Sequence, residues 1–168
     1  GRRAERMPAY ASGGWADEAN IGAQLKGYCD KAGFRAVKMR IGVMDGSPAR
    51  SAARVRAARK ALGPDIRLMA DAHGTWTVAE AKAFCRMVED QDLYWFEEPV
   101  SADDKQGLAE VRRSSAVPIS TGESEFTRHD FREIAELRGA DVLQPDLAIA
   151  GGLTEGLRIG AIASAFNL

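Results

Sequence analysis

The chain has 168 residues, is 45% hydrophobic and 28% charged, and so reads as one globular domain with a buried core. Its formal net charge of −1 excludes a general electrostatic pull toward nucleic acid or an acidic membrane surface. No apolar run approaches the roughly 18 residues a membrane-spanning helix needs.

The N-terminal stretch GRRAERMPAY is charged and has no apolar stretch of the kind a secretory signal carries, so cytoplasmic residence is expected. Short apolar runs predict strands at Pro8–Ala11, Arg35–Ile41, Ile66–Asp71, Tyr94–Glu97, Pro118–Gly122 and Val142–Pro145. Helical patterns lie between them. Asp17–Lys31 is the first. Ser47-Pro48 reads as an N-cap with proline at the first helical position, opening ARSAARVRAARKALG. Thr77 with Glu80 fits a capping box before VAEAKAFCRMVED. Thr127 opens a helix in which Phe131, Ile134 and Leu137 share a face and Gly139 suits the left-handed C-terminal position. Thr154–Phe166 is the last helix. The arginine-rich segment Arg50–Lys60 lacks interleaved aromatics and reads as a solvated outer face, not a nucleic-acid patch. IAGGLTEG matches neither phosphate-loop pattern and reads as a tight strand-to-helix turn. Cys29 and Cys85 fall in helical stretches and form no CxxC pair, in keeping with a reducing compartment.

Strands that alternate with helices imply βα units and a parallel sheet. Six such units without a GxGxxG turn favour a barrel; a doubly wound dinucleotide-binding sheet is the other reading.

Three predicted strands end in a carboxylate: LMADAHG at Asp71, WFEEPV at Glu97 and TGES at Glu123. Each is 26 residues, one βα unit, from the next, and Asp146 in LQPDLA follows 23 residues later. In a barrel such strand ends converge on the catalytic face. Carboxylates that close cannot all ionise cheaply, and a hard cation relieves them; an all-oxygen set suits Mg²⁺. Any one of these acids alone reads first as a helix N-cap or a solvated loop residue; three at equal strand–helix spacing read as a set. Glu98 is expected on the side opposite Glu97 if the strand continues, with a structural role before Pro99. In VKMRIG, Lys38 and Arg40 share one strand face. Inside a barrel they need anions, which the acids and an anionic substrate supply. Lys38 with a lowered pKa is a candidate base, whereas Arg40 stays protonated and is a charge partner or a carboxylate clamp. His73 is either a substrate contact or a loop histidine; His129 is expected in solvent.

Together VKMR, MADAHG, WFEEPV, TGES and LQPDLAIAGG, in this order and spacing, resemble the enolase superfamily, in its mandelate racemase/muconate lactonizing enzyme branch. The resemblance implies a (β/α)8 TIM-type barrel in which Asp71, Glu97 and Glu123 bind Mg²⁺. It implies a small carboxylate substrate whose α-proton is removed through a metal-stabilised enediolate, and an assembly of several identical subunits. Acid-sugar dehydratase is the leading expectation. Racemase, epimerase or cycloisomerase activity, or a non-catalytic barrel fragment, are the alternatives. The branch uses the aspartate matching Asp146 to orient a histidine on the next strand, and that histidine has no counterpart in these 168 residues. The branch's N-terminal capping domain and last barrel strands have none either. The sequence is therefore expected to be part of a longer enzyme and, alone, inactive. Arg40 stands where many relatives carry the base lysine, and His73 replaces a commoner asparagine.

Overall fold

Six strands pair in parallel, each with the next in sequence: β1 (Ala11–Gly13), β2 (Ala36–Arg40), β3 (Arg67–Asp71), β4 (Leu93–Glu97), β5 (Ile119–Thr121) and β6 (Val142–Leu143). A doubly wound sheet reverses its strand order at a switch point; this sheet does not. The order is that of a (β/α)8 barrel, with six βα units in view. The structure, a computed structural model, describes residues 5–168. Residues 1–4, the start of the charged N-terminal stretch, lie outside the described residues.

The connecting helices are α1 (Ile21–Ala32), α2 (Pro48–Leu62), α3 (Val78–Met87), α4 (Lys105–Arg113), α5 (Thr127–Leu137), the single turn α6 (Leu147–Ala150) and α7 (Leu153–Phe166). Period-two alternation sorts each strand's residues. Val37, Met39, Ile41, Leu68, Ala70, Phe96 and Ile119 face the helices and join their apolar sides in one core. Phe96, Phe84 and Trp76 form a triad of mutually contacting rings at tilted and edge-on angles, the Phe96 centroid lying 4.9 Å from Phe84 and 5.8 Å from Trp76. The alternate set, Lys38, Arg40, Met69, Asp71, Trp95 and Glu97, is left for the sheet's other face. That face carries the chemistry.

The starts of α2 and α3 follow the sequence closely, whereas α1 begins at Ile21 and not at the expected Asp17. Ser47 accepts a hydrogen bond from the Arg50 amide with Pro48 at the first position, and Thr77 and Glu80 form both halves of the capping box. Among the described residues no helix is long and apolar enough to cross a membrane.

Four expectations are corrected. First, β1 starts at Ala11 instead of spanning Pro8–Ala11, because pairing with Val37, Lys38 and Met39 selects the weakly strand-prone Ala-Ser-Gly. Tyr10 instead packs edge-on against Trp95. Second, Arg138, not Gly139, takes the left-handed position after α5, and the Gly139 amide closes the turn on the Ile134 carbonyl at 2.9 Å. Third, IAGGLTEG joins α6 to α7 and not a strand to a helix, since β6 ends at Leu143. Fourth, the arginines of α2 are not merely solvated. Arg54 is buried, bonding the Gly14, Ala16 and Arg40 carbonyls and both oxygens of Asp45. Arg59 bonds the carbonyls of Gly63, Ile66, Gln91 and Asp92.

Candidate active site

Strand register sets the height of each side chain. Arg40 pairs with Asp71, and Asp71 with Glu97, so the three stand in one row at the C-terminal ends of β2, β3 and β4. Lys38 lies one layer below and reaches up: its Nζ bonds Glu97 Oε1 and lies 3.4 Å from Asp71 Oδ2. Arg40 Nη1 lies 3.3 Å from Asp71 Oδ1. Trp95, two residues before Glu97 and on the same face, donates from Nε1 to Glu97 Oε2 at 3.0 Å. That contact was readable as W-x-E in a strand, and sequence reasoning missed it.

Burial pushes the Lys38 ammonium down, but its hydrogen bond to Glu97 and the charges of Glu97 and Asp71 outweigh it and hold the group above the ordinary lysine range. Burial raises Glu97 above the usual carboxylate range despite Lys38 beside it.

Glu98 departs from expectation. β4 ends at Glu97, and Glu98 takes a left-handed backbone with φ 42°. Alternation stops, and the Glu98 carboxylate joins the cluster instead of facing away. It is buried, with Oε2 3.3 Å from His73 Nδ1 and Oε1 without a hydrogen-bond partner. Burial raises its pKa, as do the neighbouring charges of Glu123 and Asp71. His73 is also left-handed, with φ 51°. Two such residues at adjacent strand ends are the kind of backbone strain that collects at functional sites. The His73 amide donates to Asp71 Oδ1 at 2.9 Å, and His73 Nδ1 sits 2.9 Å from Glu123 Oε1.

Glu123 is not level with Asp71 and Glu97. Glu97 pairs with Ser120, so Glu123 stands three residues beyond the row, half-buried in the following loop. Equal spacing in sequence is thus not equal height, because loop lengths differ between units. Gly122 permits this loop: with φ 143°, a Cβ there would lie 2.8 Å from the Gln144 backbone. Glu123 reaches the cluster through His73. Asp146 does not reach it by any described contact. It is exposed and caps α6, accepting from the Ala148 amide at 2.7 Å. His129 is exposed, as expected.

The donor set fits a hard divalent cation. Asp71, Glu97, Glu98 and Glu123 place four carboxylates against two fixed cations, Lys38 and Arg40. Ligand atoms of Asp71, His73 and Glu98 lie within 4.8 Å of one another, and Glu98 Oε1 is a buried acceptor with nothing to accept from.

The family model described as "Enolase C-terminal domain-like" matches residues 20–168. Arabinonate dehydratase of Saccharolobus solfataricus is 32% identical, over 94% of this chain and 43% of its own length. D-galactarolactone cycloisomerase of Agrobacterium fabrum is 33% identical, over 98% of this chain and 44% of its own. The crystal structure of an enolase from Bradyrhizobium complexed with magnesium and mandelic acid superposes with a TM-score of 0.89 at 36% identity, over 96% of this chain and 44% of that one. The chain thus spans less than half the length of the relatives it matches.

Proposed function

The chain belongs to the enolase superfamily, matching its C-terminal-domain family model over most of its length, and from that premise we propose that the protein it comes from is a Mg²⁺-dependent acid-sugar dehydratase. Asp71, Glu97 and Glu123 would hold the cation, with Glu98 beside them. When bound, it supplies concentrated positive charge next to the substrate carboxylate, which makes the adjacent C–H acidic.

The chain's own residues supply the rest. Arg40 is half-buried at the edge of the row and clamps the substrate carboxylate. Lys38 Nζ, beneath the row, would take the C2 proton as base: a bound cation would offset the Asp71 and Glu97 charges that otherwise hold its ammonium, and the ammonium formed on proton transfer then stabilises the dianion. The C2–H electron pair then forms the C2=C3 bond, and the C3–O bond breaks. The departing hydroxide takes a proton and leaves as water, and the enol product tautomerises to a 2-keto-3-deoxy acid.

The observation that carries this reading is the setting of His73. Its ring is half exposed, and both of its carboxylate contacts use Nδ1. That leaves Nε2 for a substrate hydroxyl, where an imidazole N–H can act as general acid. A racemase has no leaving hydroxide to protonate. Similarity to a cycloisomerase favours a second reading, in which the same first half-reaction ends in ring chemistry.

The test is a panel of acid sugars with Mg²⁺ and the complete natural protein. Formation of a 2-keto-3-deoxy acid supports the dehydratase. Exchange of the α-proton for deuterium without dehydration supports the racemase, epimerase or cycloisomerase reading. Neither with any member contradicts both.

A further inference from the structure

Ser120 stands level with Glu97, as its register partner on β5, and is fully buried. Its carbonyl accepts from the Glu98 amide at 2.9 Å. Register partners in a parallel pair point to one side, so Ser120 shares the inner face with Glu97. Val142 is the partner of Ser120 on β6, and Gln144, two residues on, faces inward as well. Pro145 keeps Gln144 extended, and the Gln144 amide donates to the Thr121 carbonyl at 2.8 Å. The Gln144 backbone packs against Gly122, one residue before Glu123. Gln144 is thus held at the height of the Glu123 loop.

The two inward side chains meet. The Ser120 hydroxyl donates to Gln144 Oε1. That bond fixes which end of the carboxamide is free. The oxygen is engaged by a buried hydroxyl, and Nε2, with two N–H donors, has no partner among the described residues. The side chain is half-buried, so these donors face the open side of the site. Strands β2 and β6 stand four apart in the sheet order. In a ring of eight they are opposite walls. Arg40 and Gln144 therefore face each other across the cation site, one charged and one neutral. The neutral pair of donors suits a hydroxyl oxygen and the guanidinium a carboxylate.

We infer that Gln144 is a substrate-binding residue whose Nε2 donates to a hydroxyl oxygen at C4 or C5 of the acid sugar, and that Ser120 is the positioning residue that aims it. The inference rests on the acid-sugar reading above and deepens it. The carboxylate end lies at Arg40 and the cation site, and the carbon chain runs across the barrel to Gln144.

The test uses the complete natural protein, Mg²⁺, an acid sugar it turns over, and the 4-deoxy and 5-deoxy analogues of that sugar. In the native protein one of the two analogues should lose roughly 10- to 100-fold in kcat/KM. Gln144→Met, similar in size but without donors, should lose the same factor on the parent sugar and little further on that analogue. Its Mg²⁺ affinity by calorimetry should match the native value. Ser120→Ala should show a smaller loss with the same selectivity, in KM more than in kcat, because Nε2 is no longer aimed; it carries the test if Gln144→Met does not fold. No loss in either variant, or equal losses on the parent sugar and both analogues, overturns the inference and leaves the dehydratase reading intact, since a packing role would not distinguish the sugars. Absence of turnover and of α-deuterium exchange with every acid sugar overturns the acid-sugar reading, and the inference with it.

Discussion

Asp71 and Glu97 are register partners on neighbouring strands, and both carboxylates meet one ammonium, that of Lys38. All three side chains are buried. The lysine comes from the layer below and fills the gap between two acids that would otherwise repel. Removing one member exposes the coupling. Glu97→Gln leaves Lys38 with Asp71 alone and should cost about 3 kcal/mol in urea unfolding. Lys38→Met should cost less in the Glu97→Gln background than in the native one, by about 1–3 kcal/mol. Additive costs would mean that the contact is geometric only.

His73→Asn separates two proton transfers. If His73 protonates the leaving hydroxide, the variant should lose about 10²- to 10⁴-fold in dehydration rate. It should still exchange the substrate α-proton with deuterium, followed by NMR. Equal loss of both would instead make His73 part of the cation site.

Arg54 ties the end of β2 to the loops at Gly14–Ala16 and Asp45. Arg54→Met strands a buried Asp45 carboxylate and three carbonyls. A loss of about 3–5 kcal/mol is expected. Adding Asp45→Asn should return part of it, read as a recovered urea midpoint.

Glu155 links α7 to α5. It accepts from the Arg128 amide and bonds the Arg128 and Arg158 guanidinium groups. The Arg128 amide bond is the largest cause, and with the arginines it holds the carboxyl down at about 2, below the ordinary 4.5. The folded form thus binds its proton less readily than the unfolded form. The stabilisation is full above pH 4.5 and is lost as pH falls through about 2. Glu155→Gln should therefore lower Tm at pH 7, with the gap from wild type closing as pH approaches 2. A pH-independent gap would assign the effect to packing.

How much of this was legible depended on how local its cause is. The starts of α2 and α3 rest on Ser47, Pro48, Thr77 and Glu80, all within one turn of sequence, and they form as read. β2, β3 and β4 carry enough apolar residues to announce themselves, and Lys38, Arg40, Asp71 and Glu97 come together on the face that alternation assigns. β1 and β6 have three and two residues, and register with their neighbours selects them. Glu98 was misplaced because the left-handed turn at φ 42° ends the alternation that sequence reasoning extended. Glu123 was set level with its neighbours because spacing counts loop residues as if they were strand. The buried role of Arg54 and the half-buried one of Arg59 depend on carbonyls up to 40 residues away, which no local pattern displays.

The central proposal is that Asp71, Glu97 and Glu123 hold a divalent cation, with Glu98 beside them. The most direct measurement is calorimetric titration of Mg²⁺ into the metal-stripped complete protein, beside Asp71→Asn and Glu97→Gln variants whose folding is checked by circular dichroism. One Mg²⁺ per chain in the native protein, with binding lost in both folded variants, is the predicted result. Unchanged Mg²⁺ affinity in the folded variants would contradict the claim.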